Sequence, residues 1–219
     1  MMSPLFNIAE IQVVGNEKIQ TDTIISLSRI TLGDNIYKTS IKQIEQNIKE
    51  NAYVQEVNIK RKLPNKIAIT VKERKTTYML EYANSFAYIN NQGYILEISQ
   101  EKLQVPIIVG YSTKEEEIKP GNRLTYEDLE KLETVLRILD SANSNGIRNL
   151  ITRINIQDKQ NYTLIMEEAK KIVYLGDASN LSNRMIYLKA ILAGEEGIEG
   201  EIFVGGDLNK EKAFFRKKE

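Results

Sequence analysis

The side chains that most often carry enzyme chemistry are missing. Among 219 residues there is no histidine and no cysteine. Those two supply most zinc ligands, most general bases and every thiol nucleophile. Bond chemistry would therefore fall to carboxylates, lysine, tyrosine or serine. Carboxylates do cluster, at Glu115-Glu116-Glu117 and Glu195-Glu196, but both runs read as loop. A general acid needs a low-dielectric pocket to lift its pKa, and no pattern around these runs builds one. Asp140, Asp158 and Asp177 lack the spacing of a calcium loop. Gly205-Gly206-Asp207 is a faint phosphate-loop pattern with no helical pattern behind it, so it reads as a turn. Complete nucleotide-binding loops and nucleophile elbows are absent. The expectation is a protein with no catalytic residue, no metal, no cofactor and no small-molecule ligand.

Charge points the same way. Thirty basic and thirty acidic residues cancel, which gives no electrostatic reason to expect nucleic acid as a partner. The local basic clusters are Lys60-Arg61-Lys62, Lys72 to Lys75, Lys170-Lys171 and Arg216-Lys217-Lys218. They read as solvated strand ends, because neighbouring acids interrupt most of them. At 42% hydrophobic residues, one or two real cores are affordable. No run approaches the ~20 apolar residues of a membrane span.

The first third of the chain has the clearest order of elements. A strand-like run at 8–14 stops at Gly15-Asn16, a pair that tolerates positive φ. A weak helix follows near 21–30, its β-branched Thr23, Ile24 and Ile25 lowering the intrinsic propensity. A stronger one spans 40–51. There Ser40 and Gln43 have capping-box spacing, and Ile41, Ile44 and Ile48 make an apolar stripe. Strands at 54–63 and 66–74 flank Leu63-Pro64-Asn65. Val57, Ile59, Arg61 and Leu63 share one face of the first, and Ile67, Ile69 and Val71 one face of the second. Arg61 is the odd member, expected to lay its stem on the sheet and hold its charge in water. The order is β-α-α-β-β, an antiparallel sheet with helices on one side.

This stretch resembles a polypeptide-transport-associated (POTRA) domain. The resemblance rests on Ile11 to Asn16, on Gly33-Asp34-Asn35-Ile36-Tyr37, on Tyr53 to Val57 leading to Arg61 and Leu63-Pro64-Asn65, and on Ile69 to Arg74. A single such domain before a larger β-rich region is similar to the FtsQ/DivIB family of bacterial cell-division proteins. The expected fold is α+β: a POTRA domain over 5–74, then a mostly antiparallel β-domain with two helices over 75–219. Polar Lys72 to Thr77 contains no Gly/Pro/Ser linker, so the last strand is expected to run directly into the second domain.

In the second part, strands at 85–89 and 94–98 flank the turn Asn90-Asn91-Gln92-Gly93. Pro106 cannot donate to a ladder and belongs at a strand start or sheet edge. Residues 112–121 read as an acidic, mobile loop. A helix from Thr125 carries Leu129, Leu132, Val135, Leu136 and Leu139 on one face, with Glu127 and Asp128 complementing its dipole. Runs at 151–156, 162–166 and 171–176 make a meander. A last helix, 181–192, turns Leu181, Met185, Leu188, Ile191 and Leu192 inward before Gly194.

The terminal segment supplies the candidate site. Strands at 201–204 and 212–216 form a hairpin whose second strand has no later chain to cover it. An uncovered edge strand is a template for another chain. The resemblance implies that a partner division protein adds a strand here. The candidate partner-binding residues are Ile202, Phe203, Val204, Lys212, Ala213, Phe214, Phe215 and Arg216. The alternative for Phe203, Phe214 and Phe215 is an ordinary core role, which is compatible with pairing through the backbone.

The resemblance further implies a non-catalytic divisome scaffold that links early and late components and regulates septal peptidoglycan synthesis. Its partners would be FtsB/DivIC-like and FtsL-like coiled-coil proteins. It would sit at the septum on the extracytoplasmic side, in a parent protein anchored by an N-terminal membrane helix that this stretch lacks. Two other readings are a POTRA-bearing translocation or chaperone module, which predicts tandem POTRA domains, and a carboxylate glycan hydrolase, which predicts a buried acid pair across a cleft.

Overall fold

A computed structural model describes residues 4–206 and 212–218. The chain divides into two compact units, 1–75 and 76–219.

In the first unit β1 (Glu10–Val14) pairs in parallel with β3 (Lys66–Glu73), and β3 pairs antiparallel with β2 (Val54–Lys62). The sheet order is β1-β3-β2, so the sheet is mixed rather than antiparallel throughout as expected. The helices α1 (Thr21–Ser28) and α2 (Ile41–Lys49) cover one face. Their Ile24, Ile44 and Ile48 are buried with Ile67, Ile69 and Val71 of the central strand. Gly15 sits at φ +86°, where a Cβ would lie 2.2 Å from the Val71 carbonyl oxygen. Both the turn and the close approach require glycine there.

Three local expectations change. Ser40 does cap α2, accepting from the Gln43 amide at 3.3 Å, but the Gln43 side chain turns forward to Asn47 Oδ1 at 2.9 Å, so the box is half made. Leu63 is 57% exposed, because the strand has left the helices by then. Arg61 donates to the carbonyls of Ile36 (2.8 Å) and Thr39 (2.6 Å), fastening the segment between the helices.

The second unit is one nine-stranded sheet, ordered β12-β11-β10-β9-β8-β7-β4-β5-β6. Its strands are β4 (Tyr78–Tyr82), β5 (Ser85–Ile89), β6 (Ile95–Ser99), β7 (Ile107–Val109), β8 (Arg153–Asn155), β9 (Tyr162–Met166), β10 (Lys171–Gly176), β11 (Gly200–Phe203) and β12 (Phe214–Lys217). Five neighbouring pairs are antiparallel, and three, β4/β7, β7/β8 and β10/β11, are parallel. The hairpin at Asn90 to Gly93 and the meander β8-β9-β10 form as expected, and β7 starts just after Pro106.

One face of this sheet meets α3 (Tyr126–Ser144) and α4 (Leu181–Gly194) in a single core. The buried stripe of α3 is Leu132, Val135, Ile138, Leu139 and Ala142. Leu136 is 36% exposed, and Leu129 is only partly buried. In α4, Met185 and Leu188 are buried, while Leu181, Ile191 and Leu192 line the core margin. Asp128 also departs from the dipole reading. Its fully buried carboxylate accepts from the amides of Ser112 (2.9 Å) and Thr113 (2.7 Å) and from both hydroxyls. Burial alone would raise its pKa, but these hydrogen bonds outweigh that and hold it below the usual carboxylate range. The loop expected to be mobile is thus anchored at its start, and Ile118 within it is buried.

Candidate functional site

The terminal edge exists because side chains deliver it to the sheet. Lys171 opens β10 on the buried face, where a cation needs partners. Its ammonium donates to the carbonyls of Ala169 (3.1 Å), Glu195 (3.1 Å) and Ile198, and lies 5.3 Å from the Phe215 ring centroid. Burial pulls its pKa below the usual lysine range. These bonds gather the segment after α4 against β10, so that Gly200 falls opposite Lys171 in parallel register. Gly200 carries no Cβ because one would meet the Phe215 ring at 2.4 Å.

The far end of β11 has its own clasp. Arg184, nearly buried, donates to Leu175 O (2.6 Å), Gly205 O (3.1 Å), Asp177 Oδ1 (3.0 Å) and Ser179 Oγ (3.1 Å). It ties the end of β10 to the end of β11. A Cβ on Gly205 would lie 2.8 Å from the Gly176 amide nitrogen. That close approach is the physical reason for glycine at 205. The last residue of the expected turn, Asp207, lies outside the described residues.

On the sheet face away from the helices, Tyr174, Phe203 and Phe214 stack across β10, β11 and β12. Successive centroids are 4.7 Å apart, with interplanar angles of 11° and 13°. Glu201 accepts from Arg216 Nε (2.9 Å) and from the Tyr174 hydroxyl (2.9 Å). The Arg216 and Tyr174 hydrogen bonds lower its pKa. Arg216 also lies 4.9 Å from the Phe203 ring centroid. Near β4 and β5 this face is crossed by later chain, with the Leu103 amide on Met79 Sδ and the Tyr88 hydroxyl on Glu101 O. At the terminal end Ile172 is 39% and Phe214 52% exposed.

The free edge has a definite polarity of backbone groups. The Lys218 amide donates to Glu199 O at 3.0 Å, so Lys218 faces β11. Backbone direction alternates along an antiparallel strand. Arg216 and Phe214 therefore also face β11, and Phe215 and Lys217 present N–H and C=O to the open side. Phe215 directs its ring to the core margin at the same time. The groups offered for pairing are backbone, with Lys217 and Lys218 exposed beside them.

The eight candidate residues fall into three groups. Ile202 and Val204 are buried in the core, and the Val204 amide donates to Tyr174 O (3.1 Å). Phe203, Phe214 and Arg216 form the outer face. Lys212 and Ala213 precede β12, and Phe215 lies within it. Tyr174, Glu201, Lys171, Arg184 and Lys217 join the site without having been singled out. Period-two alternation of Ile172 and Tyr174 was the available signal for the first; the two buried cations have none in a linear sequence. Among the described residues no group of three or more acidic side chains is placed to hold a metal. The hollows beside the edge, about 340 and 460 Å³, are shallow and open, one bordered by Tyr174, Phe203 and Phe214, the other by Glu201 and Arg216.

Comparison with known proteins places both units. Residues 6–74 match the POTRA domain of FtsQ type, and residues 76–195 match the FtsQ/DivIB C-terminal related family. The second match stops before β11. The chain is 28% identical to the cell division protein DivIB of Clostridium tetani over 90% of this chain and 74% of that protein. It is 37% identical to DivIB of Clostridium botulinum over 57% of this chain and 49% of that one. It is 24% identical to the cell division protein FtsQ of Geobacter over 79% and 62%. The chain thus spans from about half to three quarters of these relatives.

Proposed function

Because the chain belongs to the FtsQ/DivIB family of cell-division proteins, we propose that it acts as a non-catalytic scaffold of the division complex that captures a partner by strand addition to β12. The observation that carries this reading is the edge itself: among the described residues β12 ends the nine-stranded sheet, and the Phe215 and Lys217 amides face outward. An added strand gains main-chain hydrogen bonds, while side chains above and below it set specificity. The Phe214 ring and the Lys217 side chain stand where such a strand would run.

The partner class is a membrane-anchored coiled-coil division protein of the FtsB/DivIC or FtsL type, met on the extracytoplasmic side at the septum. Holding such partners together links early and late components and regulates septal peptidoglycan synthesis. The work is done by binding energy and geometry, with no bond made or broken. Among the described residues no helix is long and apolar enough to cross a membrane.

The test is a titration of this chain with extracytoplasmic segments of such partners, repeated with Lys217→Pro. Proline removes one outward donor and leaves the bonds to β11 in place. Circular dichroism first establishes that the variant folds. Saturable binding weakened about tenfold by the substitution supports strand addition. Binding that ignores it moves the partner site off β12, and absence of binding to every such segment removes the scaffold reading.

A further inference from the structure

Among its described residues the first unit exposes five large apolar side chains: Leu5 (60%), Val14, Leu32 (59%), Tyr37 (52%) and Leu63 (57%). Four of them gather at one pole. The short turn Pro4–Phe6, the segment joining α1 to α2, and the β2–β3 turn meet there. The Ile36 amide donates to Phe6 O (2.9 Å), the Gly33 amide to Ile8 O (2.8 Å), and the Ala9 amide to Asn65 O (2.8 Å). The Phe6 and Tyr37 rings lie 5.3 Å apart, edge to face. Val14 alone stands at the opposite end of β1.

A scattered exposed leucine is unremarkable, but a gathered set marks a contact surface. The surroundings of this one are basic. Lys38, Lys42, Arg61 and Lys62 are exposed around the pole, and Lys66 is paired with Glu10 at 2.6 Å. Asp34 is the remaining acid in the joining segment. Arg61 cross-braces the carbonyls of Ile36 and Thr39, so the turn that carries Tyr37 is held in place. Leucine tips and an amphipathic tyrosine on braced turns, with lysines around them, match the chemistry of an anionic lipid interface. The hollow beside them, about 480 Å³ and lined by residues such as Arg29, Asp34, Lys38 and Asn47, takes in none of the four apolar side chains. We propose that this pole seats on an anionic lipid surface, with Leu5, Leu32 and Leu63 entering the headgroup region and the lysines meeting lipid phosphates. The inference is independent of strand addition at β12.

The experiment is co-sedimentation of the whole chain with vesicles of phosphatidylglycerol and phosphatidylcholine mixed in equal parts, against vesicles of phosphatidylcholine alone. Binding should require the anionic lipid. The pair Leu32→Ser with Leu63→Ser should lower the bound fraction about tenfold, and Lys38→Glu about fivefold or more. Val14→Ser, the same kind of change at the other end, should leave it unmoved. All variants are exposed, and their far-ultraviolet dichroism should match the parent. No binding to the anionic vesicles overturns the proposal, as does binding that survives the paired leucine change. Self-association abolished by that pair would assign the pole to a second copy of the chain and equally overturn it.

Discussion

Among the described residues four strands end a sheet, β1, β2, β6 and β12, and two of them, β2 and β12, manage their open sides differently. β2 is nine residues long, shifts register between Val54 and Glu56, and carries Glu56, Lys60, Arg61 and Lys62. Its Glu56 is paired with Lys72 at 2.8 Å. Bulge and charge are the usual defences of an edge against casual pairing. β12 has four residues, two of them phenylalanine, in unbroken register with β11. Its own sheet contacts are few, so its position rests on clasps elsewhere: Lys171 at one end of β10 and Arg184 at the other. A defended edge is built from its own residues. A receptive edge keeps its register unbroken and is held in place from behind.

The largest effect should separate the two regions. Gly15→Ala places a Cβ 2.2 Å from the Val71 carbonyl at φ +86°, which should cost the first sheet about 3 kcal/mol or more. Thermal denaturation should show the first unit melting early, while partner titration at β12 stays intact. Loss of both together would show that the terminal edge depends on the first unit.

How much of this was legible in the sequence divides along the same line. In the first unit the signals are local. Ile67, Ile69 and Val71 alternate and are buried, and Ile44 and Ile48 lie on the buried stripe of α2. Long polar side chains escaped local reading because their destinations are set by tertiary neighbours. Arg61 reaches two carbonyls more than twenty residues away, and Asp128 folds back onto Ser112 and Thr113 rather than serving the helix dipole. In α3 the stripe passes through Ile138 rather than Leu136, a difference of helical phase that apolar type alone does not resolve. At the terminal edge, the hairpin of two short strands was legible, although its second strand starts at Phe214 rather than at residue 212. The parallel seating of β11 on β10 was not, because it depends on the Lys171 and Arg184 clasps across long loops.

A smaller effect should follow from removing one clasp. Arg184→Met keeps much of the stem but leaves the Leu175 and Gly205 carbonyls without their donor. The cost should be about 2 kcal/mol, seen as faster amide exchange in β11 and β12 with β4 to β8 unchanged. Uniform loosening of the whole sheet would contradict the view that the edge is held from behind.

The smallest effect is on pH. The Glu201 pKa is lowered by hydrogen bonds from Arg216 and Tyr174. A carboxylate depressed in the folded state contributes stability above its unfolded value, about 4.3, and loses it as pH falls through the folded value. The β11–β12 pairing should be indifferent to pH from about 8 to 5 and loosen below about 4. Glu201→Gln should flatten that dependence. Loosening on the alkaline side instead would place the responsible group elsewhere.

The central claim is that the outward amides of β12 receive a partner strand, and residue-resolved amide exchange tests it most directly. With a saturating division-protein segment, the Phe215 and Lys217 amides should gain protection. Phe214 and Arg216, already bonded to β11, should change little. Equal protection along β12, or protection confined to the first unit, would contradict strand addition at this edge.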